Sequence, residues 1–102
     1  MEAYDLSKLT ADDFRNHLHQ NIEIYFNPEI PVNMEVLEVQ DLELYSPLER
    51  NSFSILFRMN GEKGYYPQGT YPVNHPELGK MDIFLVPLGA DKEGMRYQSI
   101  FS

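Results

Sequence analysis

Between Gln68 and Gly89 the chain reads Gln-Gly-Thr-Tyr-Pro-Val-Asn-His-Pro-Glu-Leu-Gly-Lys-Met-Asp-Ile-Phe-Leu-Val-Pro-Leu-Gly, and no other stretch limits the fold as much. Ile83, Phe84, Leu85 and Val86 put apolar side chains on both faces of a strand, and such a strand has to be covered on both. The strand before it carries Tyr71, Val73 and His75 on one side and Thr70, Pro72 and Asn74 on the other. Pro72 has no N–H for a ladder, so this strand belongs at an edge or beside a bulge. His75 precedes Pro76 and is biased to extended geometry. Pro76-Glu77 suits the middle of a type I turn, and Gly79 lets the chain reverse.

Upstream, Leu9, Thr10, Asp13 and Phe14 read as a helix start. Thr10 and Asp13 form a variant capping box, with Asp for the usual Glu, and Leu9 with Phe14 fits a hydrophobic staple. A helix over about 10–19 then sets Ala11, Phe14 and Leu18 on one face and Asp12, Arg15, Asn16 and His19 outward. From Asn21 the period drops to two: Ile22, Ile24 and Phe26 alternate with Glu23 and Tyr25 until Asn27-Pro28 and Pro31 end the run. Met34 and Val36 continue the alternation. The apolar phase then switches through Leu37 and Val39 and returns at Leu42 and Leu44, which predicts a β-bulge near Gln40 or Asp41. Phe53, Ile55 and Phe57 share a strand face, Asn60-Gly61 predicts a tight hairpin, and Met95 to Phe101 alternates.

Strands over about 21–26, 33–44, 51–59, 69–75, 81–87 and 95–101 with one short N-terminal helix predict a mainly β fold, a small antiparallel curled sheet or barrel in one domain spanning residues 1–102. The helix is the second cover in sight for the 81–87 strand, so it is expected to pack across one side of the sheet or to close one end of it. Failing that, a homodimer interface has to cover the strand.

Charge narrows the partner. Eleven of the sixteen Asp and Glu lie in residues 1–50, against three of the eight Lys and Arg, and the net charge is -8. Nucleic-acid binders neutralise phosphates with clustered Lys and Arg, and none cluster here, so nucleic acid and anionic membrane are not expected partners. The acids form a solvated face or dock onto a basic partner. Cysteine is absent, which removes disulfides, thiolate nucleophiles and Cys-based zinc sites. His17 and His19 are two apart and diverge on a helix, so no metal is expected there. No apolar run approaches the ~20 residues that span a bilayer, and the first residues show no basic leader, so a soluble, cytoplasmic protein is expected.

The polar residues carry two readings. His75 either hydrogen-bonds the backbone around the Pro76 turn or serves as a general base oriented by Glu77 or Asp82; it is the one catalytic candidate. Gln68 divides in the same way, as a strand-entrance amide or a ligand contact. Arg50 is expected to pair with an acid of the Glu43–Glu49 loop rather than to bind a phosphate, and it is grouped with Tyr65 and Tyr66 as a partner contact. Tyr65 and Tyr66 are adjacent and face opposite ways, so one is expected in the core and the other in a partner contact. The binding candidates are therefore Tyr65, Tyr66, Arg50, Gln68 and His75. No Gly-rich phosphate loop, His-Glu-x-x-His helix or serine elbow is present, and no cofactor is expected.

Phe14 after a Leu-Thr helix start, Arg50-x-x-Phe53-Ser54-x-Leu56-Phe57, Gln68-Gly69-x-Tyr71, His75-Pro76-x-Leu78-Gly79, Phe84-Leu85-Val86-Pro87 and Tyr97-x-x-x-Phe101 together resemble a family of small uncharacterised bacterial domains. Some members of that family are encoded near proteins with phage-tail-collar-like domains. The chain departs from the pattern at His17-Leu18-His19-Gln20-Asn21, where a glycine turn is expected after the helix. The resemblance implies a fold and an association and supplies no chemistry. The expected function is a non-enzymatic protein-interaction or accessory module, of a phage-tail-like or surface-appendage system. The alternative is a small ligand-binding barrel or enzyme using His75 and Gln68.

Overall fold

A computed structural model describes residues 6–42, 52–61 and 66–101. After a single 3-10 turn at Leu6–Lys8 come the helix α1 (Ala11–Arg15) and six strands: β1 (Asn21–Asn27), β2 (Ile30–Asp41), β3 (Phe53–Asn60), β4 (Gly69–His75), β5 (Gly79–Ala90) and β6 (Gly94–Phe101). All strand pairs are antiparallel and close a barrel in the order β1-β2-β3-β6-β5-β4. The mainly β architecture with one short helix is the one the sequence implies.

Strict alternation dictates what fills the barrel. Ile22 and Ile24, Met34 and Val36, Phe53, Ile55 and Phe57, Val73, Met81, Ile83 and Leu85, and Tyr97 are all buried and point inward from their strands. At about 25 cal/mol per Å² of apolar surface, each such side chain stabilises the fold by roughly 1.5–3 kcal/mol. Phe14 enters from α1 at one end. Its ring meets Phe57 edge-on at 6.2 Å and His75 edge-on at 5.2 Å, and stacks on Phe101 at 6.4 Å. The helix therefore plugs the barrel end.

Four local expectations are corrected. The helix is one turn shorter than the apolar spacing suggests, because the chain leaves it to dock on β2: the His19 N–H donates to the Val36 carbonyl at 2.7 Å, and the Val36 N–H returns to the Gln20 carbonyl at 3.0 Å. This requires a positive φ of 65° at His19, so a histidine occupies the left-handed position where a glycine was expected. Leu18 consequently turns outward, 37% exposed, and His17 turns in. The β2 bulge lies between Val36 and Glu38 rather than at Gln40 or Asp41, where that docking occurs.

β1 and β2 form a two-residue hairpin through Pro28-Glu29, with Asn27 opposite Ile30 and the Glu29 N–H held by the Asn27 side chain at 3.0 Å. Pro31 sits inside β2 instead of ending a strand. Asn60-Gly61, in contrast, makes no hairpin between β3 and β4. β3 pairs with β2 and β6, and the Gly61 N–H donates to the Glu93 carbonyl of the β5–β6 turn at 2.7 Å. Two three-stranded meanders, β1-β2-β3 and β4-β5-β6, thus join through β3 and β6 on one side and β1 and β4 on the other.

β3 and β6 run in register from Phe53 opposite Phe101 to Asn60 opposite Gly94. A Cβ on Gly94 would stand 2.1 Å from the Met59 carbonyl oxygen, so only glycine permits this approach. Over the opposite face of β5, Phe84 is 50% exposed and Leu88 is also exposed. Helix α1 packs on β2 and β3 and leaves this face uncovered. Among the described residues no helix is long and apolar enough to cross a membrane.

Candidate interaction surface

The barrel is weakest in backbone pairing where β1 meets β4. Glu23 opposite Asn74 and Ile24 opposite Val73 are the two pairs formed there. Pro72, which comes next opposite Tyr25, has no N–H to give, and the ladder stops. Alternation then places two different surfaces on the two sides of this seam.

Inward, Phe26, Tyr66, Tyr71 and Tyr97 cluster. Phe26 stacks on Tyr66 at 4.2 Å with rings 3° apart, meets Tyr71 edge-on at 4.6 Å, and lies 5.3 Å from Tyr97. The buried Tyr97 hydroxyl accepts the Tyr66 N–H at 2.8 Å, and burial pushes its phenol above the ordinary tyrosine range. The Tyr71 hydroxyl donates to the Pro67 carbonyl at 2.5 Å. Tyr66 remains 38% exposed, and Gln68 beside it is exposed as well. Two of the binding candidates thus share one patch at the entrance to β4. Tyr65 and Arg50 lie outside the described residues.

Outward, Tyr25, Pro28, Pro72, Asn74, Gly79 and Lys80 line a groove of about 420 Å³. Sequence reasoning treated Tyr25 as the polar half of an alternation and Pro72 as the mark of an edge strand or a bulge. Neither the register that brings them together nor the hairpin that adds Pro28 is visible in local pattern.

His75 lies at the other end of β4 from Gln68, roughly 20 Å away along a seven-residue strand, and is buried. Its Nε2–H donates to the Asp13 carbonyl at 2.7 Å, and Nδ1 accepts the N–H groups of Glu77 and Leu78, each at 3.1 Å. Asp13's carbonyl can only accept, so the neutral tautomer carries its proton on Nε2. Neither nitrogen is left for a substrate. Neither of the carboxylates considered for orienting it does so, since Glu77 turns its side chain to His17 and meets His75 through its backbone.

His17, weighed in the sequence only as half of a His-x-His pair, has a different role in the structure. Its Nδ1 lies 3.0 Å from Gln20 Oε1 and its Nε2 2.7 Å from Glu77 Oε1, and its ring stands edge-on to His75 at 4.9 Å. The Gln20 amide oxygen first, and the Glu77 carboxylate with it, raise the His17 pKa above the ordinary imidazole value against the opposing effect of burial. A partner sixty positions along the chain leaves no trace in spacing.

At the far end Arg58 binds Asp91 at 3.1 Å, Glu35 at 3.3 Å and Glu93 at 2.7 Å, while the Asn60 amide donates to Glu35 at 2.9 Å and lowers the Glu35 pKa. This network sets one guanidinium among three carboxylates and joins β2, β3 and the β5–β6 turn. Among the described residues no group of His, Asp and Glu is arranged to hold a metal ion.

No curated protein and no solved structure matches the chain. Residues 9–101, from the staple leucine to the last residue of β6, match the model of a domain of unknown function (DUF6916), and the chain belongs to that family.

Proposed function

We propose that this barrel is a non-enzymatic protein-interaction module, acting in the bacterial cytoplasm as an accessory to a phage-tail-like or surface-appendage system. The observation that carries the reading is Tyr66: an aromatic ring held flat against Phe26, partly exposed, beside exposed Gln68, where the β1–β4 ladder stops. A tyrosine of this kind offers a large rigid contact area with a polar tip, and rigidity lowers the ordering cost of association. The hydrogen bond from its backbone to Tyr97 fixes the segment in advance. The link to a phage-tail-like assembly rests on the sequence resemblance alone.

The test is capture of a partner by the tagged domain from lysate of its source organism, compared with a Tyr66→Ala/Gln68→Ala variant. A stoichiometric protein bound by the native domain and lost from a variant with an unchanged melting curve supports the reading. Equal capture by both removes the patch.

A further inference from the structure

The outer groove of the β1–β4 seam points to a more specific partner, and this inference rests on the reading that the domain binds a protein. We infer that the groove receives an extended, proline-rich segment of that partner carrying Arg or Lys. Three observations converge on this class. Tyr25, Pro28 and Pro72 are among the residues that line it, residue types onto which prolyl rings pack. An aromatic-lined groove of this kind suits a polyproline II helix, which is already ordered before it binds.

The backbone chemistry argues against an added β-strand. Asn74 is opposite both Glu23 and Lys80, so β4 is closed on both sides at that end of the groove, and where the β1–β4 ladder stops the next residue is Pro72. Pro72 has no N–H to offer an added strand, and the Asn74 side-chain amide is held by Glu23 Oε1 at 3.2 Å. The groove therefore has few backbone partners to give, and polyproline II requires few.

Charge selects the basic residue. Glu23 lies across from Asn74, Asp82 across from Pro72, and Glu29 follows Pro28, so three carboxylates border the groove against the single ammonium of Lys80. They belong to a chain of net charge -8. An acidic rim both steers and retains a cationic ligand.

The experiment titrates the isotope-labelled full chain with a synthetic peptide of three Pro-Pro-Arg repeats, following amide shifts by NMR. Peptides of three Pro-Pro-Glu and three Gly-Ser-Arg repeats serve as controls. The expected result is saturable shifts centred on Tyr25, Asn74, Gly79 and Lys80 with the Pro-Pro-Arg peptide alone. Tyr25→Ala should weaken that binding about fivefold or more, and so should Asp82→Asn, which leaves the groove walls untouched.

Groove amides that stay still at millimolar peptide overturn the inference. So do equal shifts with Gly-Ser-Arg repeats, which would mean charge alone, or with Pro-Pro-Glu repeats. A silent groove in a domain that still captures a protein through Tyr66 and Gln68 sinks the inference and leaves the reading above standing. A peptide seated in the groove, with the Tyr66→Ala/Gln68→Ala variant still capturing its partner, upholds the groove and removes the patch.

Discussion

His17 Nε2 lies 2.7 Å from Glu77 Oε1, and this contact ties the end of the helix to the β4–β5 turn across sixty positions of sequence. Beside it, the His75 ring reaches from the same turn to the Asp13 carbonyl inside the helix. Two histidines thus fasten the plug to the barrel.

The His17 clamp makes stability depend on pH. Its folded pKa is raised by the Gln20 oxygen and then by Glu77, so the folded state binds a proton more tightly than the unfolded chain does. The stabilisation is fully present below the unfolded value of about 6.5 and disappears as pH rises through the folded value. Urea midpoints of the native protein and of His17→Gln, compared at about pH 5.5 and about pH 8, should differ more at the lower pH. A constant difference between the two would show that the imidazolium contributes nothing.

His75→Ala should destabilise the domain by about 2–4 kcal/mol, because it strands the Asp13 carbonyl and the N–H groups of Glu77 and Leu78 while opening space beside Phe14. The check is chemical denaturation. A loss well under about 1 kcal/mol would mean that water replaces the ring without cost.

Gly94→Ala should be among the most damaging single-methyl changes, at about 2–4 kcal/mol, since the new carbon meets the Met59 carbonyl of β3. Thermal unfolding measures it. An unchanged melting temperature would show that the two strands can part without penalty.

Ser99 is buried on the inner face of β6, and its hydroxyl has no hydrogen-bond partner among the described residues. Ser99→Ala removes a desolvated hydroxyl and little volume, so denaturation should show stability unchanged or raised by up to about 1 kcal/mol. A clear loss of stability would reveal a partner for the hydroxyl.

Much of this architecture is legible in the chain. The alternations Ile22-Ile24, Phe53-Ile55-Phe57 and Tyr71-Val73-His75 fix which side chains face inward, because the strand period is two whatever the neighbours are. Thr10 and Asp13 mark the helix start, where the Thr10 N–H donates to Asp13 Oδ2 at 2.8 Å. The site is only half legible: Tyr66 and Gln68 stand out locally, while the groove draws on Tyr25, Pro28 and Pro72 from separate elements.

Asn60-Gly61 shows where local reading ends. The pair carries the chemistry of a hairpin turn, yet both sides of its strand are taken by β2 and β6, the latter through eight consecutive pairs, which leaves no side for β4. The same holds for His19, whose positive φ follows from docking on Val36 and overrides its own preference.

Sequence by itself determined which residues form strands, which faces are apolar, that the net charge is acidic, and where the helix begins, since these depend on neighbours a few positions apart. Tertiary structure alone decided that β4 closes on β1 with two pairs, that His17 meets Glu77, and that Tyr25 and Pro72 share a groove. Strand order and register are set by the best joint burial of all six strands, and that quantity belongs to no single stretch of the chain.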